Sequence, residues 1–472
     1  MNFCVFHKES IKFVNILNDS LKKLNGKGLS KIKISYLTFC LTAMICCKSL
    51  NLEEFQRSSF GFFKARATGY FLKHITSYLN ILWILSITQV LKTYNITEGY
   101  LVADDTDRVR SKNVTKIHAA QKTKDKKTGG YCMAQNIVLL ILVTKKISIP
   151  VGFAFFESDP ELLKWKKTIK EMQNNKIKKS EYPKMPDKNP KYPTRLEILE
   201  NLISDFKKNF DDFLMKGILF DAAYLSKNII QKLSNIYPNK QIISQIRSNQ
   251  MISDNLKNFK TVEEYFSKKK KKQISLKKRG TNETIDAEYA SARLHVKAHG
   301  KKLHVIAIRY KGEKEYRYLV ATDLTWRAED IIRAYSLRWI IEVTFEDWKL
   351  HEGYGSGGMQ RGYESACTGV TLSFLANHMI LLHPLQIQRS MAGKRLLTVG
   401  SIVSRIRLEC LLDSIYNLIS NEISLESFNK IKIMITSNFI INRESSKFLF
   451  GNDKAFDVGP TKSLYSRFKN SS

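Results

Sequence analysis

From the N-terminus to about residue 95 the apolar positions recur without strand-like alternation, as in Ile34–Cys47 and Ser77–Leu91. That pattern predicts helices, divided by polar turn signals at Asn51-Leu-Glu-Glu and Ser58-Ser59. The texture then changes. Gly99–Ala103 is a short apolar run ending at Asp104-Asp105-Thr106, Tyr131–Thr144 is strongly apolar, and Ile147–Phe156 is apolar around Pro150. Three neighbouring strands follow, joined by a basic loop, Arg108–Lys127, and a short turn. Lys164–Arg195 breaks the pattern with 11 basic residues, 3 acidic ones and four prolines, and reads as a solvated, mobile loop or linker. Helical periodicity resumes over Arg195–Leu214. Gly217–Phe220 is a short strand ending at Asp221, and Gln241–Ile246 is a further strand.

Between about 250 and 324 the chain is strand-rich, with Ala292–Val296, Leu303–Tyr310 and Tyr316–Thr322 after the lysine run Lys268–Lys272. That run is a solvated loop or a clamp on a DNA backbone. Thr325, followed by Glu329 and Asp330, is the expected N-cap of a long helix reaching about Leu350. The remainder reads as mostly helical with a basic tail. Ser365–Gln388 carries no Asp, Glu, Lys or Arg, but it contains Asn377, His378 and His383, so a core helix is expected there rather than a membrane span.

Composition sharpens the picture through charge. With 77 Lys+Arg against 44 Asp+Glu in 472 residues the formal net charge is +33, which points to a polyanionic partner, above all nucleic acid. Seven irregularly spaced cysteines, with no Cys-x-x-Cys pair, fit a reduced intracellular protein. His295, His299 and His304 lack nearby cysteines and are not read as a zinc site.

The candidate chemistry is acidic. Asp104 and Asp221 each end an apolar, strand-like run, a placement that also suits turn residues. On the predicted helix, Tyr335, Arg338, Glu342 and Lys349 fall within about 60° of one another, as a salt-bridged surface would also place them. Carboxylates from two strand ends and a helix can converge on divalent cations, and a pair of Mg²⁺ ions suits phosphodiester chemistry.

Asp104-Asp105-Thr106 after a strand, Phe220-Asp221-Ala-Ala-Tyr224 and Tyr335-x2-Arg338-x3-Glu342-x6-Lys349 together resemble the DDE transposases of bacterial insertion sequences that carry a Tyr-Arg-Glu-Lys signature. The resemblance covers roughly residues 95–390. It implies an α/β, RNase H-like fold: a mixed five-stranded sheet with flanking helices and a β-rich insertion before the last acid. With the apolar pattern outside it, the resemblance divides the chain into a helical DNA-binding domain (1–95), a catalytic core (96–249 and 325–390), the insertion (250–324) and a helical C-terminal region (391–472). It further implies that Asp104, Asp221 and Glu342 hold two Mg²⁺ or Mn²⁺, with Asp105 as the alternative to Asp104. Tyr335, Arg338 and Lys349 would grip DNA phosphates. Arg108 and Arg110, in the basic loop directly after the first acid, are further candidates for DNA contact. The implied activity is cut-and-paste: cleavage at the terminal inverted repeats, excision through a hairpin, and attack of the 3′-OH on target DNA. The implied setting is a homodimer on DNA in the bacterial cytoplasm, associated with the nucleoid and not with membrane. The same fold could also serve a catalytically inactive DNA-binding relative or a structure-specific nuclease.

Overall fold

The computed structural model describes residues 6–111, 114, 116–124, 129–277, 283–354, 362–419, 424–440 and 443–444. Its N-terminal part is helical, as the apolar pattern predicts: α1 (Lys8–Asn25), α2 (Lys31–Cys47), α3 (Leu52–Ser58) and α4 (Ala65–Thr93). In α1, Phe13, Val14, Leu17 and Leu21 recur at helical spacing and are buried. Gly26, at φ +69°, closes α1 by donating its N–H to the Lys22 carbonyl. By contrast, α2 is buried continuously from Leu37 to Ile45, and it lies in the interior.

The sheet begins with β1 (Glu98–Arg110), β2 (Ala120–Lys124), β3 (Tyr131–Val143) and β4 (Ser148–Phe156). The next elements are α5 (Pro160–Asn174), α6 (Arg195–Asn209), β5 (Leu214–Phe220), α7 (Lys227–Ile236) and β6 (Gln241–Gln245). These strands lie in the order β4-β3-β1-β5-β6. The β4/β3 and β3/β1 pairs are antiparallel, and β1/β5 and β5/β6 are parallel. Gly217 lets β5 lie close to β6, since a Cβ there would meet the Gln241 carbonyl at 2.8 Å. The strand-rich segment then adds β7 (Met251–Ser253), β8 (Lys260–Thr261), a short helix α8 (Val262–Ser267), β9 (Lys272–Lys277), β10 (Thr284–Val296), β11 (Lys301–Tyr310) and β12 (Arg317–Ala321). Here the expected five strands prove to be part of a larger sheet. Because β12 pairs antiparallel with β6, the hydrogen-bond ladder runs on into β11 and β10, and the described residues form one 12-stranded sheet.

After the sheet come α9 (Ala328–Ser336), α10 (Trp339–Leu350), α11 (Tyr363–Leu381), α12 (Pro384–Met391), α13 (Val399–Ile419) and α14 (Leu425–Phe439). Strand alternation assigns the two faces of β1. Leu101 and Ala103 join a cluster with α6 and α7, and Tyr100 and Val102 join a larger one with α9, α10, α11 and the N-terminal helices. The charge-free segment is buried along α11 from Thr368 to Leu381, as a core helix should be. Among the described residues α4 is long and apolar enough to cross a membrane, as are two bent pairs, α2 with α3 and α11 with α12, by length and composition. In the fold α4 lies along α11, and polar contacts tie the two together. The Tyr94 hydroxyl donates to the Leu381 carbonyl at 2.6 Å, and Ser86 Oγ meets His378 Nδ1 at 2.6 Å. His378 is held neutral by burial, which lowers its pKa to about 3, and its Nε2 faces the Pro150 carbonyl at 3.3 Å. Ser86 Oγ also donates to the Trp83 carbonyl at 2.7 Å, so the one hydroxyl links its own helix to the His378 ring. Ser86→Ala is therefore expected to cost about 1 kcal/mol, read as a lower urea midpoint.

Three predicted features differ. Lys164–Arg195 is not all loop: its first part belongs to α5, begun by Asp159 as N-cap and Pro160 at the first turn. Thr325 is not the cap of the later helix, which starts after Arg327. Nor is that helix continuous. At Leu337 and Arg338 the dihedrals stay helical, but the hydrogen bonds tighten to three-residue spacing (Arg338 N to Tyr335 O, 3.0 Å; Ile340 N to Leu337 O, 3.0 Å).

Candidate active site

Asp104 does not end its strand. It lies inside β1, which continues to Arg110 paired with β3. Asp221 does follow its strand directly and caps the 3₁₀ turn Ala222–Tyr224, accepting the Ala222 N–H at 2.7 Å. Ala103 and Phe220 are partners in the parallel β1/β5 pair, so Asp104 and Asp221 are each the next residue along on adjacent strands. Glu342 comes from the first turn of α10. Arg338, at the tightened turn before α10, reaches across. Its Nη1 donates to Asp104 Oδ2 at 2.8 Å and its Nη2 to Glu342 Oε1 at 2.9 Å. All three side chains are largely covered, at 16% exposure for Arg338, 18% for Asp104 and 30% for Glu342.

Burial is the largest influence on Asp104 and pushes its pKa up to about 6; the Asp105 and Asp221 carboxylates add to the rise. Arg338 and the Asp105 N–H, at 2.8 Å, pull the other way without cancelling it. Burial alone would lower the Arg338 pKa, but Tyr335, Asp104 and Glu342 outweigh it and hold the guanidinium charged. Tyr335 is buried close to the same acids; burial chiefly raises its pKa, and its hydroxyl has no hydrogen-bond partner among the described residues. Lys349 completes this face of β1, donating to Thr106 Oγ1 at 2.6 Å and the Asp107 carbonyl at 2.8 Å. The four signature residues therefore gather around β1, although the helix that was to align them is tightened between Tyr335 and Glu342.

The neighbouring Asp105 points to the opposite face. Its carboxylate accepts from Asn136 Nδ2 at 2.8 Å and the Tyr224 hydroxyl at 3.1 Å, with Arg195 Nε at 3.7 Å. Asn136 also donates to Asp107 and accepts from Arg195 Nε at 3.1 Å. This network was not foreseen from the sequence. Its one signal was Asn136, an amide at the head of an apolar run.

Arg108 and Arg110 are not in a loop. Both lie in β1, and Arg108 is buried with its guanidinium 4.0 Å over the ring of Tyr354, which stacks on Trp348. Arg110 forks onto Gln135 Oε1 at 3.0 and 2.6 Å. Neither is presented to solvent as a loop residue would be. Of the remaining basic segment, 112–113, 115 and 125–127 lie outside the described residues, while Ala120–Lys124 forms β2.

The donor set suits a hard divalent cation: carboxylate oxygens only, one of them raised in pKa because burial and two neighbouring carboxylates disfavour its charge. Among the described residues, however, no three His, Cys, Asp or Glu side chains are already gathered as a ligand group. Between Asp104 and Glu342 stands the Arg338 guanidinium.

Residues 168–361 match a family described as "Archaeal putative transposase ISC1217". No curated protein matches the chain. A cryo-electron microscopy structure of a piggyBac transposase synaptic complex with hairpin DNA aligns over 93% of this chain and 84% of that chain, at 11% identity and a TM-score of 0.41. Asp221, Tyr335, Arg338, Glu342 and Lys349 all fall inside the matched stretch, and Asp104 precedes it. Over residues 168–361 the chain is similar to a DDE transposase family.

Proposed function

We propose that the protein is a DNA transposase that cleaves the ends of its element and joins the freed 3′-OH to target DNA, with Asp104, Asp221 and Glu342 as its acids. The observation that carries this reading is Arg338, which ties Asp104 on β1 to Glu342 on α10, next to the strand that ends in Asp221. The strand order β4-β3-β1-β5-β6 supports an RNase H-like core. The excess of positive charge supports a DNA substrate.

Asp104, Asp221 and Glu342 would hold two Mg²⁺ or Mn²⁺, which when bound would supply activation of the attacking oxygen and stabilisation of the leaving one. The chain's own groups account for the rest. Arg338 neutralises two acids in the DNA-free protein and is placed to turn its donors onto a phosphate. The Tyr335 hydroxyl, buried without a partner among the described residues, is a spare donor beside it. Lys349 adds a positive charge along the same face. Asp105 is left out of the acid set because its carboxylate is engaged by Tyr224 and Asn136 on the other side of the sheet. The working form is a homodimer on paired ends.

The test is an in vitro reaction with Mg²⁺ on a plasmid carrying the gene with its flanking DNA. Metal-dependent excision and joining are expected. A second reading, DNA binding without cleavage, is favoured by the two ion pairs that Arg338 makes with the acids. Folded protein that binds the ends yet never nicks them would select it. Cleavage that never joins a 3′-OH to target would point to a nuclease instead.

A further inference from the structure

The chain has no Asp or Glu between Glu54 and Glu98, yet this stretch holds Arg57, Lys64, Arg66, Lys73 and Lys92. The first half of α4 is sharply two-sided. Thr68, Phe71, Ile75 and Leu79 are buried, while Arg66, Tyr70, Lys73, His74 and Ser77 are exposed. At helical spacing these five outward residues occupy a strip about 100° wide. Tyr70 is 68% exposed, with its ring 4.2 Å from that of His74. At the entry to the helix Phe62 is 76% exposed. Its turn is pinned: Ser59 Oγ accepts the Phe63 N–H at 3.1 Å, Gln56 Oε1 accepts the Ala65 N–H at 2.8 Å, and buried Phe63 stacks on Phe39 at 4.1 Å.

We propose that this outward face of α4, residues 66–77 with Phe62 at its head, docks on duplex DNA, with Arg66 and Lys73 on phosphates and Tyr70 and His74 towards base edges. The inference rests on the DNA-acting reading above and goes further by naming the surface. Charge complementarity selects the partner, since cations and rings share one strip that itself carries no acid, with Glu53 and Glu364 set to one side in the cavity that Lys73 borders. Helix dimensions agree: a helix about 10–12 Å across fits a major groove about 12 Å wide. A bilayer is a poorer fit, because the apolar side of α4 is already buried, in part against α11, and none of the outward residues 66–77 is aliphatic; the exposed Phe60 and Phe62 lie in the turn before the helix.

The test uses the full-length protein and fluorescence anisotropy on tiled duplexes from the DNA flanking its gene, with a scrambled duplex for comparison. Arg66→Ala with Lys73→Ala should weaken binding to every duplex about tenfold or more and reduce the salt slope by about 2. Tyr70→Ala should lower the preference for the best duplex about fivefold. Unchanged urea midpoints would show that the variants fold. Equal DNA binding by wild type and variants would overturn the inference. So would a loss confined to phosphatidylserine-containing vesicles, or one confined to self-association in light scattering. If wild type binds and cuts DNA but the α4 variants bind equally, only this inference falls. If wild type binds no DNA at all, the transposase reading falls with it.

Discussion

Glu342→Gln is expected to reduce end cleavage about a thousandfold, equivalent to roughly 4 kcal/mol of transition-state stabilisation, while DNA binding is retained. The substitution is nearly isosteric, and the amide oxygen can still accept from Arg338, which keeps its second partner Asp104. The fold should therefore survive. What disappears is a negative charge at the point where a cation would be held. Binding should hold or tighten, because one anion fewer faces the phosphates. Asp104→Asn and Asp221→Asn should behave alike. Asp105→Asn should leave cleavage far less impaired, because Asp105 faces Tyr224 and Asn136 on the other side of β1. The measurement is the plasmid reaction, with each variant's DNA affinity read in parallel. Normal cleavage by the Glu342 variant, or a dead Asp105 variant beside an active Asp104 variant, would sink the assignment.

Asp104→Asn is expected to make the metal-free protein more stable at pH 7.5 by roughly 3 kcal/mol, although it destroys activity. The carboxyl titrates near pH 6 in the folded chain, chiefly because it is buried, against its ordinary value of 3.8. Between those values the folded state holds the proton more tightly than the unfolded state. Stability therefore falls as pH rises through that window, and the full cost is present above about pH 6. The variant does not titrate and escapes that cost, so its advantage should shrink as pH falls towards 4. Urea unfolding in chelator at pH 5 and pH 7.5 reads the difference. Added Mg²⁺ at about a thousand times the dissociation constant should then reverse the order, since binding to the folded state alone stabilises by about 4.1 kcal/mol there. A wild type that gains nothing from Mg²⁺, or a variant that is less stable than wild type at pH 7.5, would contradict this account.

Arg108 shows why part of the site could not be read along the chain. It opens the basic segment Arg108–Lys127, and such a segment after an acid reads as a loop facing DNA. Yet the Asp104–Arg110 stretch finds partners in β3 residue by residue, from Leu139 to Met133. Pairing with a strand that comes later in the chain overrides the local polarity. The arginine then lands on the even-numbered face of β1, over Tyr354. Lys164–Arg195 was misread for a related reason: its lysines are compatible with a solvated helix, and the Asp159-Pro160 start signal lies before the composition break. Arg338 was legible as an i,i+4 partner of Glu342, but its bond to Asp104 was not, because that contact exists only once α10 packs on β1.

Local periodicity and residue order were enough to determine the N-terminal helices, the strands leading to Asp104 and Asp221, the buried α11, and the acids and cations worth testing. These properties depend on which face of a short segment must avoid water, a matter that neighbouring residues settle. Only the tertiary structure decided that the strand-rich segment extends the main sheet through β12 and β6, that of the alternating pair Asp104 and Asp105 it is Asp104 that meets Arg338, and that one guanidinium joins two distant carboxylates. Those depend on register and on contacts between residues far apart in the chain, and a one-residue change in register would exchange the faces of every side chain on the strand.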